Sequence, residues 1–450
     1  MKKTALAVLV GCLVLLTCIN NPNPVKAQRS PRVRVQQQVV SDTDTFFVTS
    51  TLLPDGQGGF AAGPRTSGRL VGPPETLGPD TVSFTSPSLT AAGTTFNISY
   101  DDPSITANVP AGDIANMKAA VAATVLQFTS KFNDSVNINI KVAANTTGLG
   151  QSTTSLRTTG GVSPGYTSLR TAMTTDQKSA DDTAALAGSV PAVDPVAGAH
   201  DYIVSFAQSK AIGTHADDAV TLDGTFTFNG TVAYTYDPNN RVVAGKTDFI
   251  GVAMHEFSEI MGRIALMGQN LTGNPDYMEM DLFHYTGAGT RGLNNGPGRS
   301  FSIDNGTTLL KAFNNQVANP GSDLQDWASG TNDSFNAFSS PGVKNDMTAV
   351  DLRVMDALGY DRSILSAADV AISGRVVSAS GSGIRNARVT LVDSRGHTLT
   401  ALTNASGYYS FKAVPSGDTY IAQPSARGYA FGPRVMTVND SFSDLTFIAQ

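Results

Sequence analysis

The chain has 450 residues, 15% of them charged and 41% hydrophobic, and a formal net charge of −6. That length allows two or three domains with a sizeable core, while the thin, slightly acidic charge lacks the basic stripes and aromatic neighbours of a nucleic-acid binder. The 43 glycines and many small polar residues favour loops and β structure over long helices.

Residues 1–27, "MKKTALAVLVGCLVLLTCINNPNPVKA", read as an export signal. Lys2 and Lys3 form its positive end, Thr4 to Ile19 the apolar run, and Val25-Lys26-Ala27 a small-residue cleavage site. The run is short for a span of about 20 residues, so the mature chain is expected to be secreted without a membrane span, with the cell surface as a possible destination. "LVGC", ending at Cys12, imitates a lipoprotein box and ranks second. Both cysteines, Cys12 and Cys18, fall inside the signal. Disulfides, a thiol nucleophile and cysteine metal ligands are therefore excluded from the mature chain, which must rely on core packing and, where present, bound metal.

Residues 28–90 are rich in Gly, Pro, Ser and Thr and read as a flexible lead-in or a pro-region. Ordered patterning starts at "TTFNISYDD", where Phe96, Ile98 and Tyr100 alternate as in a half-buried strand. Asp113 can cap a helix with Ile114, Met117, Val121, Val125, Phe128 and Phe132 on one face. "VNINIKVA" then supplies a second strand, and strand–helix–strand at this spacing implies an α/β or α+β layer. Residues 166–187 and 203–212 look helical, and "GTFTFNG" (224–230) looks like an exposed edge strand. Asn305-Gly306 is a hairpin turn signal, and a short helix is expected within 348–361. From about residue 366 short alternating segments with Gly, Asn and Asp turns give an all-β sandwich signal.

The chemistry concentrates in "GVAMHEFSEIMGR", residues 251–263. With Thr247 as N-cap, helical spacing puts Ile250, Ala253, Phe257, Ile260, Met261 and Ile264 on one side. His255, Glu259 and Gly262 fall opposite, with Glu256 beside them. His255 and Glu259 stand one turn apart, so both can reach a single ion. Glu256 is rotated off that line, where it can hold a water and take its proton. An HExxH helix uses this arrangement to hydrolyse peptides. The competing explanation is a common His–Glu pair on a structural helix. His200, His215 and His397 lack ligand spacing and read as surface residues, and Trp327 in "DLQDWASG" as a core or loop anchor.

"HEFSEIMG" resembles the metzincin signature HExxHxxG, and "NDMTAVDLRVMDALGYD" resembles the Met-turn and closing helix of such domains. With "DLFHYTGAGTRGL" and "FNAFSSPGVKNDMT", these stretches look like an exported bacterial metzincin-like metalloprotease family that writes HExxE at its active site. The C-terminal "SGRVV", "ARVTLVD" and "TNASGYYSFKAVPSGDTYIA" are similar to carboxypeptidase regulatory-like domains. The resemblance implies an α+β metzincin-like metallopeptidase domain over 91–365, followed by an all-β immunoglobulin/transthyretin-like sandwich over 366–450. It also implies a Zn²⁺ cofactor, or another divalent metal, held by His255 and Glu259, with Glu256 as general base and a protein or peptide as substrate of a monomeric enzyme. Met347 would be a structural base beneath the metal. Glu259 and Ala265 stand where a metzincin has its second and third His, so a third ligand must come from elsewhere. His284 is the attractive chemical choice, whereas the family pattern points to Asp281. A non-catalytic surface or matrix binding protein that keeps the fold is the alternative.

Overall fold

The computed structural model describes residues 45–55, 58–70, 72–85, 93–159, 165–294, 296–314, 323–328, 332–362, 370–392, 398–415, 418–438 and 443–450. The export signal with its two cysteines, and His397, lie outside the described residues. The chain is β-rich with a few helices, and no helix among the described residues is long and apolar enough to cross a membrane.

The predicted strand–helix–strand unit forms. Strand β5 (Thr95–Tyr100) pairs in parallel with β6 (Asn137–Asn145), and α1 (Asp102–Asn108) and α2 (Ile114–Thr129) lie between them in sequence. Parallel neighbours need such a crossover. Asp101 and a proline in the first turn start α1, the position where a missing N–H costs nothing. Met117, Val121, Val125 and Phe128 form the buried face of α2. On its other edge β5 pairs with the antiparallel β4 (Val82–Thr85). Both its faces are buried, more than its alternation implies: Phe96 and Ile98 lie in the core, and Asn97 on the other face is hydrogen-bonded with Ser83 and Asn139.

Two expectations are overturned. "GTFTFNG" forms β9 (Gly224–Asn229), but it is no edge: β6 pairs with one side in parallel and β7 (Gly150–Thr158) with the other, antiparallel. Alternating phenylalanines signal a buried face and say nothing about which ladder edges are free. Strand β7, "GQSTTSLRT", has few large apolar residues and leaves no strand pattern, so its cover of β9 is invisible in the sequence. A peptide therefore has no open ladder edge along β9 to add to.

Nor are all of residues 28–90 a loose lead-in. Strand β1 (Thr45–Pro54) lies along β7 from Thr45↔Arg157 to Thr51↔Gln151. On its other side it pairs with β2 (Phe60–Ala62) and β3 (Thr66–Arg69). The sheet order is thus Phe338–Ser339, β2, β1, β7, β9, β6, β5, β4. Phe46, Val48, Ser50 and Leu52 of β1 are buried, which the Gly/Pro-rich flanks conceal.

The span 166–187 splits into α3 (Tyr166–Asp176) and α4 (Ala180–Ala187), because Ser179 and Asp182 build a capping box that restarts the helix. Residues 203–212 are part strand, β8 (Asp201–Ser205), and part helix, α5 (Phe206–Ala211), with Ser205 as the cap. Helix α6 (Phe249–Ile260) carries the HEFSE motif, and α7 (Ala349–Ala357) is the expected short helix. Phe257 of α6 meets Phe96, Phe128 and Phe226 at centroid distances of 6.2, 6.3 and 5.7 Å, so one aromatic cluster joins α6, α2 and the sheet. Asn305 and Gly306 both have positive φ (58° and 76°), as their turn signal requires.

The C-terminal segment is a two-sheet β unit. Val370–Val377 pairs with Tyr408–Val414 and Phe447–Ile448, and a second sheet has the order Thr398–Leu402, Arg388–Val392, Asp418–Ser425, Arg434–Val438. Ile372, Val376, Val389, Leu391 and Val414 form its own core. Each such side chain contributes about 1.5–3 kcal/mol when fully buried.

Candidate metal centre

Helix α6 begins one residue later than its N-cap signal suggests. The N-cap is Asp248, and its carboxylate serves another purpose: it accepts from Arg241 Nε (2.9 Å) and Nη2 (2.6 Å) and from the Asn345 backbone N–H (3.0 Å). A buried, doubly hydrogen-bonded guanidinium thus anchors the start of the helix. Every residue of α6 is buried. The two faces read from the sequence persist, but the polar one looks into a closed set of charges rather than into water.

That set has three potential ligands. His255 Nδ1 lies 2.9 Å from the Ser334 carbonyl, which accepts its hydrogen and turns Nε2 inward. Nε2 stands 3.6 Å from Glu259 Oε1 and 3.6 Å from Asp326 Oδ2. One donor atom from each of the three residues lies within 4.8 Å of the others, and among the described residues this is the group that could hold a metal ion. Around it, Ser152 Oγ donates to Glu259 Oε2 (2.5 Å), Gln325 Nε2 to Glu259 Oε1 (2.6 Å) and Arg263 Nη1 to Asp326 Oδ1 (2.6 Å). Asp326 Oδ2 is buried without a hydrogen-bond partner. Leaving such an atom unpaired is costly.

The charges are strongly coupled. Burial opposes ionisation of His255, but the Asp326 charge and the Glu259 carboxylate outweigh it and lift the imidazole to about 10. Burial would raise Glu259 as well; the hydrogen bond and charge of His255, then Arg263 and the Ser152 hydroxyl, bring it down to about 2. Asp326 is pushed up by burial, against the pull of His255 and Arg263, to about 7.

Glu256 sits beside this group, 1% exposed, with neither carboxylate oxygen hydrogen-bonded. Burial, then the Glu259 charge, holds its carboxyl well above the usual carboxylate range. Gly150 of β7 makes room for it: a Cβ there would lie 2.6 Å from Glu256 Oε1.

Of the residues singled out in the sequence, His255, Glu256 and Glu259 come together. Asp281 does not join them. Its oxygens accept the backbone N–H groups of Leu266 (3.1 Å), Met267 (3.0 Å) and Met278 (2.7 Å), an orientation that ties down the chain after α6. His284 is stacked on Phe313 at 3.6 Å and is held neutral by burial and by the Arg299 charge. His200 bonds to Asp194 at 2.9 Å, and Met347 packs half-buried against the main core. Trp327 is a core anchor, donating from Nε1 to Asp351 at 2.6 Å. Asp326, its neighbour, is the residue that sequence reasoning missed. It stands in a stretch without periodicity, and nothing in its spacing from His255 links the two.

Residues 371–448 match the family described as carboxypeptidase regulatory-like domain, and the C-terminal β unit is therefore of that kind. No curated protein matches the chain. Among solved structures, the T6 backbone pilin of serotype M6 Streptococcus pyogenes is similar at 23% identity over 16% of this chain and 16% of that one, with a TM-score of 0.15. The Bacillus anthracis TIE protein is similar at 17% identity over 18% of this chain and 16% of that one, also with a TM-score of 0.15. The chain thus spans about a sixth of these structures.

Proposed function

We propose that the protein is a secreted, metal-dependent endopeptidase, with a metzincin-like domain ahead of the carboxypeptidase regulatory-like one. One observation carries the reading: His255 Nε2, Glu259 Oε1 and Asp326 Oδ2 converge on one point, and Asp326 Oδ2 has no other partner. Tetrahedral zinc ligands at about 2.0–2.2 Å stand about 3.4 Å apart, close to the 3.6 Å separations here. Charge balance supports it too. A divalent ion with Arg263 would offset Glu259, Asp326 and an ionised Glu256 once His255 gives up its proton.

Such an ion supplies Lewis acidity toward a carbonyl and lowers the pKa of water. His255 and Glu259 offer their donor atoms from one helix face, and Asp326 adds a third from the loop beside it. Arg263 and Gln325 orient the two carboxylates, as outer partners of metal ligands do. Glu256 takes the proton from water and returns it to the leaving amine, the role its unbonded carboxyl is free to fill. A second carboxylate ligand in place of histidine offsets more of the ion's charge and moderates its Lewis acidity.

The second reading is a binding protein with a structural ion cluster. It is favoured by the near-complete burial of the group, His255 being its most exposed member at 3%. As protonated His255 with Arg263 against two carboxylates, the cluster is also neutral. Metal per chain after zinc dialysis separates the two. The peptidase reading expects close to one zinc, lost in Asp326→Ala together with hydrolysis of an unfolded protein; a parent chain that takes up no metal refutes it.

A further inference from the structure

We infer that Arg65, outside the motif-bearing region, is a positioning residue of this metal centre, so that residues 45–69 belong to the centre and are no dispensable leader. The inference rests on the metal reading above. The Arg65 side chain is 5% exposed and bridges two elements. Its Nε donates to Asp323 Oδ1 at 2.5 Å, Nη2 donates to Gln325 Oε1, and Nη1 donates to the Ala265 carbonyl just past α6. Gln325 in turn donates from Nε2 to Glu259 Oε1, and Asp326 follows it in the chain. One guanidinium thus ties the end of the ligand helix to the loop that carries the third carboxylate.

Ser50, also in this segment, donates to the same Asp323 oxygen at 2.7 Å. Arg65 fixes the amide orientation of Gln325: with Oε1 held by the guanidinium, Nε2 must face Glu259. Without Arg65 only the long contact from the Ala265 backbone N–H (3.4 Å) holds Oε1, so the donor that aims Glu259 Oε1 is less firmly placed. The fixed fork of arginine matters, because a lysine's three donors share one nitrogen and cannot span acceptors on Asp323, Gln325 and Ala265 together.

The test uses the full chain and Co²⁺ or Zn²⁺ as the probe, with affinity read by chelator competition and the ligand field by the visible Co²⁺ spectrum. Outer partners of metal ligands are worth about 10–100-fold in affinity, so Arg65→Met should weaken binding by at least about 10-fold, with Arg65→Lys in between. Ser67→Ala is the control. It removes the Gln269 contact of the same segment without touching the 323–326 loop, and should leave affinity within about twofold. Parent-like affinity and spectrum in Arg65→Met, or equal losses in Ser67→Ala, overturn the inference. Should Arg65→Met not fold, Arg65→Lys against Ser67→Ala decides by the same comparison. A parent that binds neither metal removes the centre itself, which is a different failure from a parent that binds while Arg65→Met matches it.

Discussion

Ser50 and Ser152 are direct partners across the β1–β7 ladder, and the hydroxyl of each bonds a different buried carboxylate. Ser152 donates to Glu259 at 2.5 Å, and Ser50 to Asp323 at 2.7 Å. The pair shows why β7 is built of small polar residues. It is the wall of a charged interior, where hydroxyls must satisfy carboxylates and a glycine must clear Glu256. Each hydrogen bond to a buried charge of this kind contributes about 1.5–3 kcal/mol.

Glu256 and His255 should separate chemistry from binding. Glu256→Gln is expected to keep its metal and lose about two to four orders of magnitude in turnover, the range for a lost acid–base group. His255→Ala should lose both. Metal analysis beside hydrolysis of an unfolded protein decides it, and a fully active Glu256→Gln rules out the base.

Asp281→Ala tests the proposed third ligand from the other side. Its carboxylate holds three backbone N–H groups, so removal should cost about 1–3 kcal/mol for the donors left unpaired while metal content stays at the parent level. Chemical denaturation and metal per chain are the measurements. Metal loss in a still-folded variant would restore Asp281 as a ligand.

Asp134 sets a pH dependence. Burial, then the Asp361 and Asp176 charges, lifts its carboxyl to about 8 against the pull of the Asp361 backbone N–H. An unfolded aspartate titrates near about 3.9, so between these values the folded state binds more protons than the unfolded one. The contribution of this group to stability therefore falls as pH rises from about 4 to about 8. Asp134→Asn removes this titration and should flatten the slope in urea midpoints measured at pH 5 and pH 8. Identical slopes in parent and variant would contradict the assignment.

Leu391→Ala should act on the C-terminal β unit alone. The side chain is fully buried in that unit's own core, where a truncation costs about 2–5 kcal/mol. Differential scanning calorimetry is expected to show one transition shifted down, with metal content unchanged; a drop in metal would mean the two cores are coupled.

What the sequence determined by itself was local and periodic. The β5–α2–β6 unit, the turn at Asn305-Gly306, the C-terminal alternation and the placing of His255, Glu256 and Glu259 on one helix side all follow from spacing along neighbouring residues. Backbone geometry converts such spacing directly into a face. Asp326, Arg65 and the β1–β7 pairing were decided only by tertiary structure, because they join residues far apart in the chain and leave no period to read. The same holds for β9: its two phenylalanines announce burial, but only the arrival of β7 determines that its second edge is closed. Asp281 shows the converse. A buried carboxylate close to the motif in sequence is taken up by three backbone donors, while Asp326, which only folding brings near, stands 3.6 Å from His255.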